Sequence, residues 1–285
     1  MNYTIQNDKL TVTIASLGAE IISVVKDGKE RSWQNPTGEW DGHAPLLFPV
    51  CGRCGITLDG QQYPIGFHGF AHTTEFTLVE QGKDYISLSI SATEATKTVY
   101  PFDFTFTITY KLENEKLVIE QTVENLSKTS PLYFAIGGHD SFALDNNLDS
   151  YKLDFEKEED IVSWETDDNG RLSGEVTNFG KAKVFDLPND YMQKGVTLIL
   201  KGVNSRKVTL CEKDSGKPLI AVSFDGEFKN LLFWREDNAK FICIEPWTNL
   251  PDFIDAPDPD FKEKYGVIEV APDTAKKLVR TIEYL

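Results

Sequence analysis

Phe241-Ile242-Cys243-Ile244-Glu245-Pro246-Trp247 runs four strand-forming, mostly apolar residues into a carboxylate, a proline and an indole. β-Branched and aromatic residues suit a pleated, half-buried surface, so this stretch reads as a strand. Proline has no N–H to give to a central ladder, and the strand is predicted to stop near Glu245. A carboxylate at such a mouth, beside an indole face, is partly desolvated; its pKa rises and it becomes a better base. The competing reading is a solvated charge at a strand end, and only partner groups separate the two.

Three loops offer such partners. Tyr133-Phe134-Ala135-Ile136-Gly137-Gly138-His139-Asp140 carries an apolar strand into two glycines, which permit a sharp bend, and then an imidazole. Histidine is the side chain best poised to exchange protons near neutral pH; a simple hydrogen bond from His139 to Asp140 is the alternative. Gly66-Phe67-His68-Gly69-Phe70-Ala71-His72 sets His68 and His72 among aromatic residues. Gly69 and its neighbours argue against a helix, and an extended backbone at this even spacing turns both rings to one side. Metal binding is one reading of the pair; one buried and one exposed histidine is the other. In residues 46–55, Arg53 stands next to Gly52, where a guanidinium fork would meet either a ligand or a surface carboxylate. Cys51 and Cys54 make a C-x-x-C. No helix follows, as a redox pair requires, and no second close pair completes a zinc site, so reduced thiols are expected.

The elements that must hold these loops are strands. Phe102, Phe104, Phe106, Ile108 and Tyr110 alternate with Asp103, Thr105, Thr107 and Thr109, and similar period-2 runs recur along the chain. Such alternation buries one face of an antiparallel sheet. Further strands are predicted at 117–123, 197–200, 207–211, 218–224, 231–234 and 278–284. Short turns such as Asp27-Gly28, Glu113-Asn114-Glu115 and Asp214-Ser215-Gly216 join neighbours as hairpins. Helical signals are confined to 189–193 and 260–265, and the acidic run 156–160 reads as a solvated loop. Residues 1–285 are therefore expected to form one all-β domain, a sandwich or barrel of mostly antiparallel strands with few short helices.

Composition narrows the partners. The net charge of −16 over 285 residues argues against nucleic acid and against an anionic membrane surface. No apolar run is long enough to span a bilayer, and the N-terminus lacks the basic and apolar regions of a signal peptide. A soluble cytoplasmic protein is the expectation.

In order along the chain, Phe48-Pro49 with Gly52-Arg53, His68-Gly69-Phe70-Ala71, Gly137-Gly138-His139 with Phe142, Gly202-Val203-Asn204-Ser205-Arg206, Ser223-Phe224-Asp225-Gly226 and Cys243-Ile244-Glu245-Pro246-Trp247 resemble the aldose 1-epimerase, or galactose mutarotase, family in its LacX-type branch. The resemblance covers nearly the whole chain. It implies a β supersandwich with a sugar cleft on one face. It also implies interconversion of the α and β anomers of a hexose, with His139 as the acid on the ring oxygen and Glu245 as the base on the C1 hydroxyl. Arg53, His68 and Asp225 are implied sugar contacts, His72 is expected beside them in the substrate-binding set, Trp247 or Trp234 is expected to offer an apolar face to the sugar's C–H side, and the chemistry needs no metal or other cofactor. Relatives commonly carry arginine where this chain has His72, which removes a fixed charge from the cleft and favours a neutral aldose over a hexose 6-phosphate. A monomer or weak homodimer is expected. A non-catalytic sugar-binding protein, and a metalloenzyme using His68, His72, His139 and Glu245, stand as alternatives.

Overall fold

The computed structural model describes residues 1–255 and 259–285. Its core begins with the clearest alternation in the chain. In the strand Phe104–Glu113 the residues Phe104, Phe106, Ile108 and Tyr110 are fully buried, and the threonines between them are half-exposed. That strand pairs antiparallel with Lys116–Asn125, which pairs in turn with Ala275–Tyr284.

These strands belong to a 13-stranded antiparallel sheet. From one edge its order is Asp140–Ala143, Phe241–Trp247, Asn230–Trp234, Leu198–Lys201, Tyr151–Thr166, Lys207–Glu212, Pro218–Phe224 and Ala275–Tyr284. Lys116–Asn125, Phe104–Glu113, Tyr85–Ser91 and Thr77–Gln81 complete the path, and Leu172–Asp186 pairs on Tyr151–Thr166. A four-stranded sheet built from residues 2–30 packs against it. Val12, Ile14 and Val24 share one apolar cluster with Phe106, Tyr110, Val222 and Ile282, and the Tyr110 hydroxyl donates to the Ala19 carbonyl at 2.7 Å. Among the described residues, helix is limited to Glu94–Lys97 and a few 3₁₀ turns, and no helix is long and apolar enough to cross a membrane. The all-β supersandwich is therefore the observed fold.

Two local expectations are corrected, and one long hairpin is added to them. The strand Phe241–Trp247 runs through Pro246 instead of stopping at Glu245. The Pro246 carbonyl accepts from Gly138 N–H at 3.2 Å, so the residue's backbone faces the start of the Asp140–Ala143 strand and its missing N–H removes nothing from the ladder on the other side. Residues 156–160 are no loop; they lie within Tyr151–Thr166. Glu159 is buried there, accepting from the backbone N–H of Asn204 at 3.0 Å and of Ser205 at 2.5 Å, which fastens the 202–206 loop to the sheet. The long hairpin formed by Tyr151–Thr166 and Leu172–Asp186 was not predicted, and its turn forms one wall of the cleft described next.

Candidate active site

The sheet register places His139 and Glu245 opposite each other. Asp140 pairs with Ile244, and Gly137 forms a bridge with Trp247, so the same antiparallel register sets His139 across from Glu245. Directly opposed residues in such a pair bring their Cβ atoms to about 4.5–5.5 Å. His139 Nε2 lies 3.4 Å from Glu245 Oε2. Register continues the row: Glu245 pairs with Leu232, and Leu232 with Ile199. These four side chains cross the sheet in one line and form the floor of a cavity of 430 Å³. Its walls include Trp40, His68, His72, Thr166, Trp234 and Trp247.

Burial sets the electrostatics. Glu245 is almost sealed, and the His139 side chain keeps 11% of its surface open toward the cleft. Desolvation raises the Glu245 pKa well above the ordinary carboxylate value; the nearby Asp140 carboxylate adds to the rise, and the Trp247 indole N–H works the other way. Desolvation also lowers His139, to about 4. Each shift disfavours charge in a dry site, so the pair carries one proton between them over a wide pH range.

The remaining histidines are donors of a different kind. The Gly52 N–H donates to His68 Nδ1 at 3.0 Å, which leaves the hydrogen of the neutral ring on Nε2. Burial and the neighbouring His139 hold the His68 pKa well below its ordinary value, so the ring stays neutral. His68 does not lie on an extended backbone; its φ is +61°, and a 3₁₀ turn, Ala71–Thr73, carries His72 back to the same cavity. Burial lowers the His72 pKa as well.

Behind the pair lies a group that the sequence reading passed over. Arg280, almost wholly buried, forms an ion pair with buried Asp140, the neighbour of His139. Its guanidinium packs against Gly138: a Cβ added there would meet Arg280 Cζ at 2.6 Å, and one added at Gly137 would meet Trp247 at 2.7 Å. Neither glycine has a positive φ, so what they supply is room rather than a bend. Gly138→Ala should therefore destabilise the protein by roughly 1–3 kcal/mol, the usual cost of overpacking; urea unfolding checks this. Trp40 was also missed. Its ring lies 5.4 Å from that of His139 and 5.1 Å from Trp234, closing the cavity from above. The signal for Trp40 was an isolated tryptophan in a loop of turn-forming residues, Asn35-Pro36-Thr37-Gly38-Glu39.

Two expected sugar contacts lie elsewhere. Asp225 is exposed beside a turn and accepts from Val279 N–H at 2.7 Å; it is absent from the cavity lining, and its carboxylate ties the turn to the neighbouring strand Ala275–Tyr284. Arg53 lies at the rim, exposed, with Nε donating to the Asn169 carbonyl at 3.0 Å and its guanidinium 5.1 Å from the centre of the Phe67 ring. Trp247 does line the cavity. Among the described residues, the group with metal-ligating atoms drawn together is His139, Cys243 and Glu245, within 4.8 Å of one another; His68 and His72 are not part of it. Burial raises the Cys243 pKa and keeps the thiol protonated, which weakens it as a ligand. All four cysteines are free and buried, as the sequence reading expected.

A large, mostly antiparallel sandwich with an imidazole–carboxylate pair on the floor of an aromatic-walled cleft is the β supersandwich architecture. The comparisons with known proteins give it a family. The aldose 1-epimerase family profile matches residues 1–262. The plasmid-encoded LacX protein of Lactococcus lactis subsp. lactis is 31% identical, over 97% of both chains. A galactose mutarotase related enzyme from Lactobacillus acidophilus superposes with a TM-score of 0.87 at 29% identity, covering 100% of this chain and 97% of the other. A galactose mutarotase-like protein from Lactobacillus casei matches at a TM-score of 0.87 and 27% identity over 100% of both. The chain belongs to the aldose 1-epimerase family.

Proposed function

We propose that the protein is a cofactor-independent aldose 1-epimerase acting on an uncharged aldose, with Glu245 as base and His139 as acid. The observation that carries this reading is the 3.4 Å contact between His139 and Glu245 on the cavity floor. In the forward direction the pair's one proton, which rests on Glu245, first passes to His139; the Glu245 carboxylate then takes the proton from the C1 hydroxyl while imidazolium His139 gives one to the ring oxygen. The C1–O5 bond breaks and C1 becomes the aldehyde. After rotation about C1–C2, the O5 hydroxyl adds to the other face and both protons return. The pair thus passes from imidazolium and carboxylate to imidazole and carboxylic acid, and back. Burial favours the uncharged arrangement, which is the one left when the ring is open.

The lining supports a neutral sugar. Among the described residues that form the cavity there is no lysine or arginine, and Glu236 adds a carboxylate. A phosphorylated sugar would meet no permanent positive charge inside. His68 Nε2–H offers a donor to a sugar oxygen, and Trp247 and Trp234 offer apolar faces to its C–H side.

The test is polarimetry, or proton exchange by NMR, on freshly dissolved α-glucose and α-galactose. Acceleration over buffer is expected; no acceleration across a panel of aldoses, with saturable binding intact, would favour a non-catalytic sugar-binding protein. The pH profile follows from the pair. Below about 4, His139 gains a second proton while Glu245 keeps its own, and no base is left. Above the raised Glu245 value the pair has no proton, and no acid is left. kcat/KM should hold level between these limits, because that ratio reports the free enzyme. An acid limb centred at the ordinary imidazole value of 6.5 would contradict the assignment.

A further inference from the structure

Glu245 has a second neighbour that the ring-opening chemistry does not use. Alternate residues of a strand share a face, so Cys243 projects on the same side as Glu245. Cys243 pairs with Ser141, two positions along from where the register sets His139 against Glu245. His139 and Cys243 are therefore diagonal neighbours on one face, a spacing that long side chains bridge. An imidazole, a thiol and a carboxylate stand at the corners of a triangle, with one ligand atom from each within 4.8 Å of the others. We propose that His139, Cys243 and Glu245 form an inhibitory site for a thiophilic divalent cation, zinc, which stops the enzyme by occupying His139 and Glu245. The inhibition rests on the mutarotase reading; the binding does not.

The spacing suits zinc. Zinc takes nitrogen and oxygen at about 2.0–2.2 Å and thiolate at about 2.3 Å in a tetrahedron, which sets its nitrogen and oxygen ligands about 3.4 Å apart. His139 Nε2 and Glu245 Oε2 stand 3.4 Å apart. The sulfur lies little more than about 1 Å beyond a tetrahedral edge, a distance that rotation about the cysteine Cα–Cβ bond covers. Glu245 Oε2 is buried and has no hydrogen-bond partner among the described residues, so an ion bound there breaks no existing bond.

The charges also close. The thiol is protonated at rest, but a bound dication deprotonates a coordinating thiol outright. Two protons leave, one from Cys243 and one from the His139–Glu245 pair. Thiolate and carboxylate then cancel the two charges of the ion, and no net charge is buried. Sulfur beside imidazole selects zinc over magnesium or calcium, which prefer oxygen throughout. Trp33 and Phe241 pack with Cys243, and Trp40 and Trp234 lie against that cluster, an apolar shell around the donors. The cleft side stays open, since the His139 side chain keeps 11% of its surface there. The ion enters by that side, and a water from the cleft completes the tetrahedron. With its oxygen on the ion Glu245 takes no proton, and with Nε2 on the ion His139 gives none.

The experiment follows anomer exchange by NMR and metal binding by calorimetry, in metal-free buffer and then with zinc or magnesium added. Zinc should bind and inhibit wild-type protein, a chelator should restore the rate, and magnesium should do neither. Cys243 is absent from the cavity lining, so Cys243→Ala should leave exchange without zinc unchanged. Loss of a partner behind a metal ligand already costs about 10–100-fold in affinity, so loss of the ligand itself should weaken zinc binding and inhibition at least about a hundredfold. Cobalt in place of zinc gives a second readout: a thiolate-to-cobalt charge-transfer band should appear with wild-type protein. It should persist in a Cys51→Ala, Cys54→Ala double variant and vanish in Cys243→Ala. No zinc binding to wild-type protein would overturn the proposal, as would zinc inhibition that Cys243→Ala leaves intact or a cobalt band lost with Cys51 and Cys54. If no sugar is turned over at all, the mutarotase reading has failed instead. Calorimetry and the cobalt band then decide the metal site by themselves, and should Cys243→Ala not fold, the band in wild-type protein and in the double variant decides it.

Discussion

Glu245→Gln should lower the rate of anomer exchange by roughly 10²–10⁴-fold, the range for loss of one general acid–base group, with sugar binding and fold retained. The amide matches the shape of the side chain, and burial already holds Glu245 toward its uncharged form, so the substitution removes no charge on which the resting protein depends. It removes the ability to take up and return a proton. Melting temperature, calorimetric sugar affinity and exchange rate, measured on one preparation, separate these effects. Activity within a few-fold of wild type would remove Glu245 from the mechanism. The same variant divides the enzyme from a binding protein on the same scaffold, since a binder has no rate to lose.

The second large effect concerns Arg280. Arg280→Met strips the partner from Asp140 and leaves a carboxylate buried and uncompensated, a change that costs about 3–5 kcal/mol in comparable buried pairs. Arg280→Met combined with Asp140→Leu should recover most of that stability, because well-packed apolar side chains replace buried ion pairs at little net cost. Urea unfolding of both variants decides it, and a loss of less than about 1 kcal/mol in the single variant would contradict the account. The double variant carries a second readout. Asp140 is the charge that adds to burial in holding the Glu245 pKa up. With it gone, the alkaline limb of kcat/KM should move to lower pH. A recovered fold with an unmoved limb would leave the pair a purely structural role.

Most of the sheet could be read from the sequence, because period-2 alternation is a local signal. The threonine–phenylalanine run, read from Phe102 to Tyr110, found the strand Phe104–Glu113 but set both its ends too early, and the 218–224 strand agrees at both ends. The hairpin from Tyr151 to Asp186 escaped for a physical reason. The register along it shifts between Asp154 and Glu159 and again further on, and Leu172–Asp186 is exposed along most of its length, so neither strand keeps a steady alternation. His139 and Glu245 were legible from their flanking residues. Their contact was not, since register between strands a hundred residues apart is a tertiary fact. Arg280 left a trace that went unread: it shares parity with Leu278, Ile282 and Tyr284, all buried, and an arginine at an inward position of a strand must find an anion. Asp225 was misplaced because an aspartate at a turn after a strand looks the same in sequence whether it meets a ligand or ties the turn to a neighbouring strand.

His139 and Glu245 sit in a row with Leu232 and Ile199, spaced by the ladder itself, while the rim is contributed by loops and a hairpin turn. Heredity can therefore treat the two parts separately. Insertions, deletions and point changes in the rim would reshape the mouth of the cleft in a descendant, and His139 and Glu245 would keep their separation because strand register sets it.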